Sequence, residues 1–200
     1  MIGRDEIVRS LTGAWLLFLD RPGALGQFDV GYAGFWRSFQ AILLVAPAYA
    51  LTVLADRRAI LSDAVAGDGF DAAAFMAARW LTLGFDWIAL PLLLAALAAF
   101  LGIRRGYPAY IVARNWSSVL VVVPFAAIAL IDLGGLMSRE ILFFPSVLAL
   151  AVALRVSYLV ARRALAVAID VAIGFVVLDF LVSLAIARTV SRLFRVAASI

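Results

Sequence analysis

Residues 141–187 read ILFFPSVLALAVALRVSYLVARRALAVAIDVAIGFVVLDFLVSLAIA. Two apolar runs flank Arg162-Arg163, and each is about the ~20 residues needed to cross ~30 Å of hydrocarbon. Three ionisable residues sit inside the runs: Arg155, Asp170 and Asp179. An ionisable group at that depth is costly, so each needs a partner, a water-filled space or a functional reason. The stretch makes this chain an all-α, polytopic membrane helical bundle.

Composition agrees. Hydrophobic residues make up 66% of the 200-residue chain and the mean hydropathy is +1.08, against roughly 45–50% apolar residues in soluble domains. The net charge of +4 comes entirely from Arg, 17 residues with no Lys, clustered near span ends. Such clusters suit anionic lipid headgroups and imply no nucleic-acid partner. The Arg-only, Ala-rich composition points to a bacterium with a GC-rich genome. With neither Cys nor His, disulfides, thiolate nucleophiles, imidazole bases, haem attachment and Cys/His zinc sites are excluded. There is no HExxH, no Gly-rich phosphate loop and no Gly-x-Ser-x-Gly elbow, so no cofactor, metal site or enzyme activity is expected.

Outward from the opening stretch, residues 1–35 form an N-terminal amphipathic, interfacial segment. Ile7, Leu11, Ala14, Trp15 and Phe18 share a helical face, and Asp20-Arg21-Pro22-Gly23 breaks the helix, a pattern for lying in the interface. The charges of residues 1–10 argue against a cleavable signal. Residues 36–200 form a five-span domain, with spans near 36–54, 80–103, 116–137, 141–161 and 164–187. Pro47, Pro91 and Pro124 fall inside spans, and Pro47, in mid-span, predicts a kink in the first. In the polar connection 55–79, Asp56, Asp63, Asp68 and Asp71 outweigh Arg57, Arg58 and Arg79 by one charge. Asp68-Gly69-Phe70-Asp71 reads as a turn and helix N-cap, not as a calcium loop, because it lacks ligands at alternate positions.

Orientation rests on a small margin. With the N-terminus cytoplasmic, nine Arg fall inside and seven outside, the latter including Arg188, Arg192 and Arg195 of the tail. The excess favours the N-terminus inside and the C-terminus outside.

The buried charges divide by depth. If the last two spans fold at Arg162-Arg163, residues at equal depth have numbers summing to about 325, as Arg155 and Asp170 do, each ~11 Å from the turn. Opposite charges at one level should pair, which makes Arg155 and Asp170 a candidate structural ion pair. Asp86, Asp132 and Asp179 lie in one half of the bilayer on three spans, a candidate intramembrane acidic cluster for a proton or cation. The competing reading is three separate carboxylates, each satisfied by an interfacial Arg, water or a hydroxyl such as Ser183. Asp170 and Asp179, nine residues apart, point to opposite sides of a straight helix.

Arg4-Asp5-Glu6-Ile7-Val8-Arg9-Ser10-Leu11, Gly34-Phe35-Trp36-Arg37-Ser38-Phe39 and Arg114-Asn115-Trp116 resemble segments of small uncharacterised bacterial inner-membrane proteins. The five-span outline with Asn-Trp at the third span is loosely similar to Yip1-type membrane proteins. Neither likeness implies a catalytic residue. Together these features predict a non-enzymatic multi-pass protein of the bacterial inner (plasma) membrane, a scaffold or accessory subunit. The lipid bilayer and a membrane-protein partner or a second copy are its expected associates. The alternative is a small transporter or channel-like component using Asp86, Asp132 and Asp179, although no inverted repeat is detectable.

Overall fold

The computed structural model describes residues 2–62 and 70–194. Asp63, Asp68 and Gly69 of the polar connection, and Arg195 of the tail, lie outside the described residues. Among the described residues every regular element is helical: α1 (Arg4–Phe18), α2 (Tyr32–Ser38), α3 (Ile42–Ser62), α4 (Ala72–Leu97), α5 (Tyr107–Leu133), α6 (Arg139–Leu165) and α7 (Ile169–Leu193). Short 3-10 turns follow α1 and join α2 to α3, so Tyr32–Ser62 is one continuous path. That path and α4 to α7 are the five helices long and apolar enough to cross a membrane. At 25 to 31 residues they exceed the ~20 required, which leaves their ends for the headgroup region.

Local chemistry sets the ends. Asp71 caps α4, its Oδ1 accepting from the Ala74 amide at 2.9 Å, which satisfies one of the free donors of the first turn. Pro108 lies in the first turn of α5, where a missing N–H costs nothing. Pro47, Pro91, Pro124 and Pro145 sit within spans, and neighbouring helices accommodate such breaks in the backbone ladder.

The last hairpin turns later than the sequence predicts. Arg162-Arg163 lies in the final turn of α6, where cations favour the helix C-terminus and Arg, a good helix former, gives no reason to stop. The chain reverses at 166–168 instead, with Ala166 in the left-handed region at φ 53°.

At the centre stands α5, packed against α1, α2, α3 and α6, while α7 packs on α4 and α6. Between Tyr110 and Ser117 every residue of α5 except Arg114 is buried. A helix enclosed all round is a core element, not one face of a bundle. Its close neighbour α1 is docked edge-on. Ser10, Gly13, Ala14 and Leu17 are the buried face of α1, whereas Trp15 is 53% exposed. Of the expected apolar face, Ala14 is buried and Ile7, Leu11 and Phe18 pack on the core, while Trp15 faces outward. A Cβ on Gly13 would lie 2.8 Å from Gln27 Cβ, so only glycine lets the segment 24–28 fold back this close to α1.

An ion-pair cluster holds the arrangement. Arg37 donates through Nε to Glu6 at 2.7 and 3.0 Å, and through Nη2 to Asp29 at 2.7 Å. The other Asp29 oxygen accepts from the Gly31 amide at 3.0 Å. Asn115 of α5 reaches Ser38 at 3.0 Å in the buried seam between α5 and the first span.

Candidate functional site

The enclosure of α5 brings Arg114 inside the bundle. It lies seven residues past the start of its helix, so it sits ~10 Å along the axis. Its Nη2 donates to Asp179 Oδ1 of α7 at 3.0 Å, and Asp86 Oδ2 of α4 lies 3.9 Å away. Ser183, one turn beyond Asp179, donates from Oγ to Asp86 Oδ1. Side-chain exposures are 13% for Arg114, 19% for Asp179 and 31% for Asp86. Three helices therefore meet through one guanidinium, two carboxylates and one hydroxyl. The hydroxyl serves Asp86 and not Asp179, its neighbour in sequence.

Two of the three acidic residues expected to cluster are thus brought together, and the third is not. Asp132 closes the far end of α5, eighteen residues or ~27 Å from Arg114. Arg139 Nε lies 3.8 Å from its Oδ1. Arg58 donates to the backbone carbonyls of Asp132 and Leu133, covering the free acceptors at the end of the helix. Arg79 pairs with Asp56 at 2.9 Å, and Arg139 reaches Ser62 at 2.8 Å. This is a belt of ties at the membrane boundary, distinct from the inner cluster. Among the described residues no three carboxylates gather as a metal-binding set.

The ion pair between Arg155 and Asp170 is not formed. Moving the turn to 166–168 shifts equal depths to numbers summing to about 334, which places Asp170 near the membrane boundary. Asp170 is exposed in the first turn of α7, where the helix dipole favours an anion without any Arg. Arg155 turns to α1: its Nη1 donates to the Phe18 carbonyl and its guanidinium lies 5.6 Å from the Phe18 ring centroid. Arg163 pairs with Asp20 at 2.7 Å. Both Arg residues hold the end of α1 to α6.

Arg114 is the site residue that sequence reasoning placed wrongly, at the mouth of the third span. The available signal was Gly106-Tyr107-Pro108: proline there starts a helix rather than extending a turn. With α5 beginning at Tyr107, Arg114 lies two turns inside.

Among the described residues four buried polar side-chain atoms have no hydrogen-bond partner in the protein: Arg114 Nη1, Asn115 Oδ1, Ser117 Oγ and Ser10 Oγ. All but Ser10 are on α5. Buried polar atoms are costly unless satisfied, so this helix carries more polar capacity than its fold uses.

Comparison with protein-family models, curated proteins and solved structures gives no match.

Proposed function

We propose that this chain is a non-enzymatic multi-pass protein of the bacterial inner membrane, a scaffold or accessory subunit. The observation that carries the reading is the fixed platform of α1 and α2. Glu6, Asp29 and Arg37 lock the two helices together, and Arg155 and Arg163 tie the end of α1 to α6. A freely hinged interfacial helix would pay an ordering cost on meeting a partner, and a preset one avoids it. The outward face of α1 still offers Arg4, Asp5, Val8, Arg9 and Trp15, a charged surface with an aromatic anchor at headgroup depth. The distribution of charge supports the same role, because most intramembrane and boundary charges are spent on holding helices together.

Affinity purification from native membrane tests this reading. A stoichiometric membrane partner is expected, and it should be lost from Arg4→Glu/Arg9→Glu protein that still inserts and remains monodisperse. Recovery of the chain without any partner in both forms would count against a scaffold.

A small transporter or channel-like component is the second reading, supported by a specific feature. Asp86 and Asp179 share a single Arg114, so the inner cluster holds two acidic groups against one basic group. An unbalanced intramembrane carboxylate suits a proton or cation site. Proton flux in proteoliposomes that disappears in Asp86→Asn would favour this alternative.

A further inference from the structure

An apolar groove of about 510 Å³ runs between α5 and α6, and every residue lining it is apolar. Pro145 lies at one end and Pro124 midway along the α5 side, with Trp15 and Phe18 of α1 also lining it. On α6 its lining extends from Pro145 to Val156, eleven residues or ~16 Å. Trp15 and Phe18 are stacked, their ring centroids 5.3 Å apart. Arg155, next to Val156 at the other end of the α6 lining, stands over Phe18 and is exposed. Among the described residues it makes no ion pair; its contacts are the Phe18 carbonyl and ring. A basic side chain at the end of an apolar slot is the arrangement an amphiphile requires.

We infer that the groove holds one acyl chain of an anionic phospholipid, with the lipid phosphate on Arg155. Charge at one end argues for an amphiphile over the apolar face of a helix, which would leave the exposed Arg155 guanidinium without an anion. A hydrocarbon chain is narrow enough, and tryptophan beside the opening matches the usual place of that ring at the headgroup level. Charge decides the class of lipid. Arg155 has one Nη1 contact to Phe18, which leaves N–H donors in a fork suited to two phosphate oxygens. In lipid the chain gains little from leaving its neighbours, because the surroundings are as apolar as the groove. Selectivity therefore comes from the guanidinium, and one basic residue near a charged headgroup supplies about a five-fold preference.

The test is native mass spectrometry of the full chain released from vesicles of equal phosphatidylglycerol and phosphatidylcholine. One retained lipid per chain is expected, phosphatidylglycerol over phosphatidylcholine by about five-fold. Arg155→Gln should abolish the preference while leaving a retained lipid. Ala127→Phe, which places a ring in the groove from an exposed position, should remove the lipid altogether. Val177→Phe, on the exposed face of α7, should behave as the parent. Retention unchanged in Ala127→Phe, or selectivity unchanged in Arg155→Gln, would overturn the assignment. So would a lipid-free dimer that Ala127→Phe converts to monomer, since a second copy would then be the occupant.

Discussion

Replacing Arg114 by Gln leaves Asp179 and Asp86 facing each other across the bundle without an opposing charge. Removing one member of a buried ion pair costs ~3–5 kcal/mol. The partial exposure of Asp86, at 31%, favours the lower end, about 3 kcal/mol. The two carboxylates should not share this equally. Asp179 makes a direct 3.0 Å contact, whereas Asp86 lies 3.9 Å away and has Ser183 as a second partner. Mutant cycles with Asp179→Asn and Asp86→Asn separate them. The coupling of Arg114 to Asp179 should be about 2 kcal/mol, a ~30-fold effect on the folding equilibrium, and to Asp86 about 1 kcal/mol or less. A triple variant, Arg114→Met with Asp86→Asn and Asp179→Asn, should recover most of the loss, because replacing a whole buried pair is often near neutral. The assay is unfolding in mixed micelles of rising dodecyl sulfate fraction, followed by helical circular dichroism. Additive single effects for Arg114 and Asp179, to within about 0.5 kcal/mol, would refute the ion-pair account. A larger coupling to Asp86 would refute the ranking.

Three further outcomes follow from the backbone. Gly106 lies against the end of α6, where a Cβ would sit 2.7 Å from the Ala164 carbonyl oxygen and 2.9 Å from Leu165 Cα. Gly106→Ala should therefore cost about 1–3 kcal/mol, while Gly84→Ala, with nothing within 4 Å, should be neutral or stabilising by up to about 1 kcal/mol; the same unfolding assay distinguishes them. Ala166→Gly should raise stability by about 1 kcal/mol, because Ala166 holds φ 53° at a steric cost that glycine does not bear. Asp71→Ala should weaken the start of α4 by about 1 kcal/mol, seen as faster hydrogen exchange at the Ala74 amide.

Much of the architecture was legible in the sequence, because five long apolar runs leave little choice about what crosses hydrocarbon. The ends of the runs were less legible. Arg162-Arg163 looked like a loop because charge usually marks a boundary, yet Arg also extends a helix and snorkels from it. The true reversal uses Ala166 in a left-handed conformation, which alanine does not advertise. That shift undid the pairing of Arg155 with Asp170. The inner cluster was half legible for a related reason. Asp86 and Asp179 were visible as buried acids, but their partner was hidden by a helix start placed nine residues late. Which way Arg155 turns depends on where α1 docks, and beside Leu17 its buried face consists of Ser10, Gly13 and Ala14, residues too small to stand out in an apolar pattern.

The docking of α1 also has a consequence in time. Its contacts with the turn at Ala24–Gln27 are local, but those with α5 and α6 wait until residue 165 has emerged. At ~5–20 residues per second, the roughly 147 intervening residues take about 7–30 s. Throughout that interval Gly13 already lies against residues 24–28, while the part of the N-terminal helix that faces α5 and α6 has nothing to cover it. Closure of that helix is thus a late step in biogenesis, with the docking of α7 on α4 and α6 later still, and a chain that has not finished inserting shows an open face to the insertion and proteolysis machinery.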